Sequence, residues 1–442
     1  MNNREEEGWD KMSSKQNEQA ISPIKGMRDI LPEEARLWQM VEASARKIFE
    51  LYGFRELRAP ILEPTELFER GTGASSDIVT KEMYTFTDKG GRSVTLRPEY
   101  TPSVVRAIIE HRLDLQPLPL RFYYTGPMFR YDRPQKGRYR QFHQIDVEVF
   151  GEQDAAIDAE IIEMAYRFFQ EVKVEGVSTL VNSVGCPRCR PAYGQALREA
   201  ATKASDRLCT DCQRKAEINP LRIFDCKQES CQEAARTFPR ITDYLCEECR
   251  EHFKKFLSYL DLYQLPYRIE PTLVRGLDYY TKTTFELVVE NLGAQNAIGG
   301  GGRYDNMVKE FGGPDLCGTG LAIGLERLLL VSKLEAPAPD FAYFAYSGEQ
   351  ARQASLLAAR YFRTLGIPCI IEFKERSWKA HFSRANKIGA TWTVIIGEDE
   401  LSSGEYQLKD MLESKQYKGT IEQLTQIVIE KEKARQGILG RD

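Results

Sequence analysis

The sequence lacks the patterns that place a chain in several common classes of protein. No apolar run approaches the roughly 18 residues of a membrane-spanning helix, so we expect no contact with a membrane. The first 22 residues are polar and contain no apolar segment of a secretory signal, which predicts a cytoplasmic protein with a flexible segment at 1–22. Internal repeats, a P-loop and a Ser-His-Asp pattern are also missing, and there are only 4 histidines. The function therefore has to be inferred from local motifs.

A strong net charge is missing as well. The 442 residues include 61 Lys and Arg against 65 Asp and Glu, which gives a formal net charge of −4. The chain has no overall basic field, so we expect no DNA binding, and any RNA binding would have to use local basic patches. With 42% hydrophobic and 29% charged residues, the composition is that of an ordinary folded protein. The length is sufficient for two or three domains.

Cysteine is the residue type whose distribution is unusual. Eight of the 10 cysteines lie between Cys186 and Cys249, and six of them form three CxxC units. In a chain without an export signal, paired thiols favour a metal over disulfides, and two CxxC units can complete a tetrahedral Cys₄ zinc site. We therefore predict one structural zinc, or alternatively two, in an insertion at 176–265. The alternative is that reduced thiols pack as small apolar side chains. The candidate ligands, which spacing alone does not pair, are Cys186, Cys189, Cys209, Cys212, Cys246 and Cys249, with Cys226 as a further candidate.

Residues 121–151 form the most informative stretch of the chain. Both ends alternate like strands, and the segment between Arg130 and Arg138 concentrates cations around a proline and a glycine, which predicts a long hairpin with a basic loop. On the returning strand a period of two places three polar side chains on one face: Gln144, Asp146 and Glu148. Such a row needs water or a ligand opposite it. A half-exposed strand with a basic turn is the simpler alternative, and we expect His143 on the other face to be structural.

This hairpin resembles motif 2 of class II aminoacyl-tRNA synthetases, and its run RPQKGRYRQFHQ is similar to the histidyl-tRNA synthetase family in particular. The helix predicted at 33–52, with the strand predicted at 56–61, resembles motif 1, which forms the dimer interface in that class. LVRGLDYYTKTTFELVVE at 273–290 resembles the first histidine-specific motif of the family, and the glycine run at 299–302 with Arg303-Tyr304-Asp305 resembles the second. GTGLAIGLER at 318–327 resembles motif 3.

The resemblance implies a site for ATP, Mg²⁺, histidine and tRNA. Its expected catalytic residues are Arg130 at the α-phosphate, Arg327 at the γ-phosphate and Arg275 near the substrate carboxylate, and guanidinium groups suit such oxygens. Asp132 and Arg138 complete the expected ATP site. The residues expected to bind histidine are Glu99, Thr101, Gln144, Glu148, Arg275, Tyr279, Tyr280 and Tyr304, and those expected near the tRNA are Arg133 and Gln135. Two positions depart from the family pattern, which has Gly in place of Tyr100 and Glu in place of Asp132.

The C-terminal part alternates between strand and helix patterns after a Pro-rich linker at 334–340. Strands are predicted at 341–346, 368–372 and 392–397, and helices at 349–364 and 377–387, which indicates a small doubly wound sheet. This region resembles the anticodon-binding domain of the synthetase. Four cations are predicted on one helical face as tRNA contacts, with an ordinary solvated face as the alternative: Arg376, Lys379, Arg384 and Lys387.

The resemblance implies an α+β protein. Its domains would be an antiparallel-sheet catalytic domain at 23–175 and 266–333, the Cys-rich insertion, and an α/β anticodon-binding domain at 341–442. The implied activity is ATP-dependent attachment of histidine to its tRNA through a histidyl-adenylate, with release of AMP and diphosphate, by a homodimer. A non-catalytic histidine-binding paralogue, such as the regulatory subunit of ATP phosphoribosyltransferase, is the alternative. The three arginines disfavour it, and the two histidine-specific motifs disfavour a synthetase for proline or threonine.

Overall fold

The computed structural model describes residues 21–73, 76–289, 296–338 and 340–439, with side chains up to 435. The segment predicted to be flexible, 1–22, lies outside these residues except for its last two. The chain divides into two compact units, Met1–Glu335 and Ala336–Asp442, each of which is described by itself below. Within the described ranges, no helix is long and apolar enough to cross a membrane.

The first unit is built on a sheet of eight described strands in the order β1-β5-β6-β11-β10-β9-β7-β8. β1 pairs with β5, and β7 with β8, in parallel, whereas the remaining neighbours are antiparallel. The α+β class predicted from the sequence is therefore confirmed. The strands are β1 (Arg55–Glu56), β5 (Leu120–Phe129), β6 (Gln141–Phe150), β7 (Val177–Ser183), β8 (Tyr267–Ile269), β9 (Thr281–Val289), β10 (Ala297–Arg303) and β11 (Gly318–Gly324).

The predicted hairpin is confirmed as β5 and β6, which pair from Leu120 and Phe150 to Phe129 and Gln141. Alternation along β6 gives the sheet two different faces. Ile145, Val147 and Val149 are buried in the main core of the unit, where helices cover the sheet. The opposite face carries the predicted polar row. His143 is held by Glu326, whose carboxylate lies 3.1 Å from the imidazole Nδ1, in accordance with the structural role expected for it.

Helices cover the apolar face of this sheet, and a buried ion pair holds helix α4 (Ala155–Glu171) against it. Arg303, at the end of β10, donates from Nε to Asp158 of α4 at 3.0 Å, and both side chains are fully buried. A second donor of Arg303 reaches the Glu152 carbonyl at 2.7 Å, so the buried charge is well satisfied. The helices of this unit outside the insertion are α1 (Pro32–Leu51), α2 (Thr65–Thr72), α3 (Thr101–Glu110), α4 (Ala155–Glu171), α9 (Met307–Glu310) and α10 (Leu325–Val331).

The strand predicted at 56–61 is wrong. The chain forms β1 and then β2 (Leu62–Pro64), which joins β3 (Tyr84–Thr87) and β4 (Ser93–Leu96) in a small sheet of its own. Between β1 and β2, Pro60 has no backbone donor for a strand ladder. The Ala59 N–H instead donates to the Tyr100 hydroxyl at 2.5 Å, and its carbonyl accepts from Arg97 at 3.1 Å. Side chains therefore satisfy the backbone of Ala59, while the Leu57 N–H and the Ile61 carbonyl have backbone partners.

The insertion begins after β7 and returns to the sheet at β8. Its helices are α5 (Arg190–Lys203), α6 (Thr210–Ile218), α7 (Glu229–Ala235) and α8 (Glu247–Leu262), and they enclose a separate small core to which the cysteines contribute. Helix α8 begins at Glu247, within the third CxxC unit. The reason is that Cys246 occupies the N-cap position and two acidic residues follow it, which favours a helix N-terminus.

The second unit contains a sheet of five described strands in the order β13-β12-β14-β15-β16. The first three are parallel, as the strand–helix alternation predicted, while the last two add antiparallel edge strands that were not predicted. The elements are β12 (Ala342–Tyr346), α11 (Glu349–Thr364), β13 (Cys369–Ile371), α12 (Trp378–Lys387), β14 (Trp392–Ile396), α13 (Glu398–Ser403), β15 (Tyr406–Asp410), β16 (Gln416–Gly419) and α14 (Ile421–Leu439).

The basic helical face predicted in this unit needs one correction. Ser377 caps α12 by accepting from the Ala380 N–H, so Arg376 lies before the helix and not on its face. Its guanidinium pairs with Glu372 at 2.8 Å. The three remaining cations, Lys379, Arg384 and Lys387, are on α12 and exposed. The opposite side of the helix is anchored by His381, which is buried between the Tyr343 hydroxyl and the Tyr346 carbonyl.

Candidate active site

The polar face of the large sheet forms the floor of a cavity of about 320 Å³ in the first unit. Its lining includes all twelve residues that the sequence analysis assigned to ATP or histidine, although they come from segments as far apart in sequence as Glu99 and Arg327. Strand β6 supplies the floor, β10 and β11 supply glycines beside it, and the segment before β9 supplies one wall. The assigned residues that line the cavity are Glu99, Thr101, Arg130, Asp132, Arg138, Gln144, Glu148, Arg275, Tyr279, Tyr280, Tyr304 and Arg327.

The floor of the cavity contains polar atoms without partners in the described part of the chain. Glu148 is only 2% exposed, and its Oε1 accepts from the Thr101 hydroxyl at 2.6 Å. Its Oε2 has no partner, and neither do Gln144 Oε1 and the Tyr304 hydroxyl. Buried polar atoms are nearly always hydrogen-bonded in folded proteins. This cavity is therefore suited to a small ligand that offers several donors and acceptors.

Burial disfavours the charged forms of the acidic groups on the cavity floor. Burial raises the pKa of Glu148 well above its usual range, against the lowering effect of the Thr101 hydrogen bond. Burial likewise raises the pKa of Glu99, although its carboxylate accepts from the Tyr279 hydroxyl at 2.8 Å and from Thr72. A cation or an N–H donor placed between these groups would favour their charged forms. The floor therefore favours a ligand with a positively charged or strongly donating part.

Aromatic rings form the wall beside this floor. Tyr279 packs against Tyr280 with ring centroids 4.8 Å apart and meets Tyr304 edge-on at 5.6 Å. Gly320 of β11 keeps the adjoining space open. A Cβ at this position would lie 2.5 Å from Glu148 Oε2 and 2.7 Å from the Tyr304 hydroxyl. The aromatic side chains and the glycine together leave a flat gap bordered by a carboxylate and a phenol.

Arg130 lies just beyond the end of β5. Its Nε donates to the Pro98 carbonyl at 2.8 Å, and its guanidinium lies 5.3 Å from the centre of the Phe142 ring. Burial lowers its pKa, and the nearby Glu99 opposes that effect. The side chain is therefore held in a fixed position at the cavity with its charge only partly compensated.

Arg275 enters the cavity from the segment before β9. It pairs with Glu286, while its Nε has no partner among the described residues. The guanidinium lies across the strand that contains Gly300, where a Cβ would approach Arg275 Nη1 to 2.7 Å. The glycine is thus a requirement for this position of the arginine. The role of Glu286 as the partner of Arg275 could not be inferred from the sequence pattern.

Arg138 and Arg327 are close enough for their charges to interact at the far end of the cavity. Arg138 pairs through Nε with Asp132 at 2.5 Å. Burial lowers the pKa of Arg327, and the charge of Arg138 lowers it further. Two cations that disfavour each other in this way would be stabilised by an anion with several oxygens, such as a polyphosphate.

The two departures from the family pattern have clear structural positions. Besides accepting from Ala59, the Tyr100 hydroxyl donates to the Leu57 carbonyl at 2.8 Å. The larger side chain thus holds the irregular segment between β1 and β2. The carboxylate of Asp132 bonds within its own loop, to Arg138 and to the Arg133 N–H at 2.6 Å.

The predicted tRNA contacts lie outside the cavity. Arg133 and Gln135 are exposed in the loop of the hairpin, and the cations of α12 belong to the second unit.

The insertion brings its eight cysteines together as two groups of four, which we call cluster A and cluster B. Cluster A contains Cys186, Cys189, Cys246 and Cys249, and cluster B contains Cys209, Cys212, Cys226 and Cys231. In each cluster the four Sγ atoms lie within 4.8 Å of one another. Measured Sγ–Sγ separations of 3.6 Å and 3.8 Å in cluster A and 4.0 Å in cluster B are close to the roughly 3.8 Å that a tetrahedral zinc with 2.3 Å bonds requires.

Backbone N–H groups also donate to the sulfurs of both clusters. The Cys246 N–H lies 3.1 Å from Cys189 Sγ, and the Cys209 N–H lies 3.2 Å from Cys231 Sγ. Such donors favour thiolates, which are the form that binds metal. Cys231 was not among the predicted ligands, although it lies between the CxxC units just as Cys226 does. Its position five residues after Cys226 was the available signal.

A mostly antiparallel sheet, an arginine-bearing hairpin and an arginine at the start of a helix after a glycine-rich strand define the chain as a class II aminoacyl-tRNA synthetase. The sequence profile described as "Histidyl-tRNA synthetase" matches residues 26–328, and that described as "Anticodon binding domain" matches 347–431. The chain belongs to the histidyl-tRNA synthetase family.

Relatives support the same family over most of the chain. The histidine–tRNA ligase of Syntrophotalea carbinolica is 47% identical over 415 residues, covering 93% of this chain and 99% of that protein. The corresponding ligase of Desulforudis audaxviator is 49% identical over 396 residues, covering 88% and 94%. The crystal structure of apo histidyl-tRNA synthetase from S. aureus superposes with a TM-score of 0.79 at 34% identity, covering 92% of this chain and all of that one. The non-catalytic paralogue is correspondingly less supported.

The position of Arg275 generates the first prediction. Arg275→Ala should reduce ATP–pyrophosphate exchange to near background, because it removes a positive charge from that wall of the cavity and leaves Glu286 without its partner. Arg268→Ala, which removes an exposed arginine of β8, is the matched control and should leave exchange unchanged. Exchange by a folded Arg275→Ala protein within about tenfold of wild type, or roughly 1.4 kcal/mol of activation free energy, would contradict the assigned role.

Proposed function

We propose that this cavity is the site at which the chain activates histidine with ATP before attaching it to tRNA. The enzyme forms histidyl-adenylate with release of diphosphate, and then transfers histidine to the tRNA with release of AMP. The observation that supports this most directly is the meeting of two chemically different ends in one cavity. One end has unpaired acceptors beside aromatic rings, and the other has several arginines.

Activation is an attack by the histidine carboxylate on the α-phosphate of MgATP. The reaction needs positioning and charge neutralisation more than a protein nucleophile. In our proposal Arg130 holds the α-phosphate, Arg275 lies between that phosphate and the carboxylate, and Arg327 with Arg138 binds the outer phosphates. Two contacts support this, the hydrogen bond of Arg130 to the Pro98 carbonyl and the Arg275–Glu286 pair. Cations that are already held in position lose little conformational entropy when a substrate binds.

Histidine is selected by groups that can read both ring nitrogens. Glu148 Oε2 is available to accept from one imidazole N–H, and the Tyr280 hydroxyl can donate to the other nitrogen. Glu99 and Thr101 would bind the α-ammonium, which would favour the charged form of the buried carboxyl. Gln144, Tyr279 and Tyr304 complete the pocket in our proposal. A site whose buried polar groups stay unpaired with a wrong ligand can discriminate by about 10⁴–10⁵.

The tRNA would be bound by surfaces outside the cavity. Arg133 and Gln135 are exposed on the loop next to the ATP end, where the tRNA acceptor end must arrive. In the second unit, the exposed cations of α12 are candidates for phosphate contacts, and Arg376 is a weaker candidate because it is already paired with Glu372. We also propose that the chain is a homodimer, on the strength of the segment that resembles motif 1.

We propose in addition that clusters A and B each hold one structural zinc. The support is the tetrahedral spacing of four sulfurs in each cluster, the backbone donors to those sulfurs, and the small size of the insertion core. Neither cluster lines the cavity, so no catalytic step involves the metal. The domain bounds proposed from the sequence, 23–175 with 266–333, 176–265 and 341–442, are retained.

Amino-acid-dependent exchange tests the proposed function itself. Each of the standard amino acids is offered to the enzyme with ATP and labelled pyrophosphate, and only histidine should support exchange, because only its ring presents a donor and an acceptor to Glu148 and Tyr280. Exchange with proline or threonine at a rate comparable to histidine would refute the assignment.

Charge reversal on α12 tests the second unit. Arg384→Glu with Lys387→Glu should weaken tRNA charging while pyrophosphate exchange stays unchanged, since phosphate contacts serve only the tRNA. Arg360→Glu with Lys418→Glu changes the net charge equally and serves as the control. Identical charging kinetics in both double variants at physiological salt would show that the face is merely solvated.

Metal analysis tests the clusters. Protein purified without chelator should contain close to two zinc ions per chain, one for each group of four cysteines. Cys212→Ser and Cys249→Ser should each reduce the content by about one, while Cys369→Ser, a cysteine outside both clusters, should not. Less than about 0.3 zinc per chain with all thiols freely titratable would show that the cysteines only pack.

A further inference from the structure

The segment Arg275–Lys282 contains three of the proposed substrate-binding residues, yet most of it lies outside the sheet. Strand β8 ends at Ile269 and β9 begins only at Thr281. Arg275, Tyr279 and Tyr280 therefore depend on contacts other than a strand ladder for their positions. Such a segment is expected to be among the less stable parts of a protein unless neighbouring elements hold it.

Cluster A is connected to the C-terminal end of this segment. Arg190 directly follows Cys189, and its guanidinium donates to the Tyr280 carbonyl. Lys282 lies 3.0 Å from Glu248, which lies between the cluster ligands Cys246 and Cys249. The Lys282 N–H donates to the Gly185 carbonyl, next to Cys186, at 2.9 Å. All three contacts come from residues adjacent to ligands of the same cluster.

Cluster B is connected to the middle of the segment in the same manner. Arg222 lies in the loop between Cys212 and Cys226, and its side chain is 11% exposed. It donates to Asp278 Oδ1 at 2.8 Å and 3.1 Å, and to the Arg275 carbonyl at 3.4 Å. Asn219, from the same loop, donates to Asp278 Oδ1 at 3.0 Å. Asp278 directly precedes the two tyrosines of the cavity wall.

We propose that the two cysteine clusters position the histidine-binding segment, cluster A through Arg190 and cluster B through Arg222. Arg190 directly follows Cys189 of cluster A, and Arg222 lies on the stretch of chain between Cys212 and Cys226 of cluster B. The insertion then acts on the cavity directly, in addition to any contact with tRNA, and the two arginines are positioning residues. This inference rests on the proposed function, because it takes the cavity to be the histidine site.

The experiment measures KM for histidine and KM for ATP separately by pyrophosphate exchange, with zinc content determined on the same samples. Arg222→Met and Arg190→Met should each raise KM for histidine by about tenfold, the effect expected for a lost hydrogen bond of a charged group. KM for ATP should change by less than about twofold, a few tenths of a kcal/mol. Zinc content should remain that of the wild type.

Matched controls remove exposed arginines of the same helices or their neighbours: Arg214→Met on α6 for cluster B and Arg198→Met on α5 for cluster A. Asp278→Ala, which removes the acceptor of the Arg222 guanidinium, should raise KM for histidine as Arg222→Met does. The effect of the double variant should be smaller than the sum of the two single effects, because both substitutions remove the contact between Arg222 and Asp278. A substitution that merely destabilised the protein would shift KM for histidine and KM for ATP alike, or its effect would add fully to that of the second substitution.

The metal is tested by removing it. Chelator-treated wild-type protein, checked for zinc loss, should bind histidine about tenfold more weakly in a direct calorimetric titration, and zinc repletion should restore the affinity. Unchanged KM for histidine in both arginine variants, or unchanged affinity of the zinc-depleted protein, would overturn the inference. Failure of the proposed function has a different signature, since wild-type protein would then show no histidine-dependent exchange at all.

Discussion

The close contact of two glycine-rich strands is the constraint on which the rest of the site depends. A Cβ at Gly301 of β10 would lie 1.9 Å from the Gly320 carbonyl of β11, so no other residue fits there without moving the sheet. On the polar face of the sheet, the missing side chains of Gly300 and Gly320 leave the cavity uncovered. Arg275 can therefore lie across β10, and Glu148 and Tyr304 face an open gap at Gly320. The arrangement is a general one in which a backbone comes close to a ligand because the side chains are absent.

The same open face explains the unusual charge balance of the cavity. Burial raises the pKa of Glu148 and Glu99 and lowers that of Arg130 and Arg327, so each end of the cavity disfavours its own charges. A substrate with an ammonium and an imidazole at one end, joined to phosphates at the other, has the opposite charge at each place. Binding of both substrates would therefore favour the charged forms of the carboxylates at one end and of the arginines at the other. In the proposed function, the site would therefore favour the adenylate over either part alone.

Sequence reasoning predicted the elements that depend on local pattern and missed those that depend on distant partners. The hairpin of β5 and β6 and the polar row of Glu148 follow from a period of two, and the structure has both. The strand predicted at 56–61 failed because Tyr100 and Arg97, some forty residues away, satisfy its backbone. The grouping of the cysteines could not be predicted from the sequence for a similar reason. Cys186 joins Cys246, 60 residues later, across three helices that no spacing rule connects.

The insertion shows how a peripheral element can affect a site that it does not line. Contacts with the segment at 275–282 include those from Arg190, Asn219 and Arg222, and none of these residues belongs to the two cysteine clusters. The sulfurs act only on the stretches of chain that present those side chains. A metal would then contribute by keeping the insertion core in one conformation, while the hydrogen bonds carry the effect to Tyr279 and Tyr280. On this reasoning, another means of stiffening the same core, such as larger apolar side chains, could replace the metal, provided that the arginines and their acceptors stayed in place.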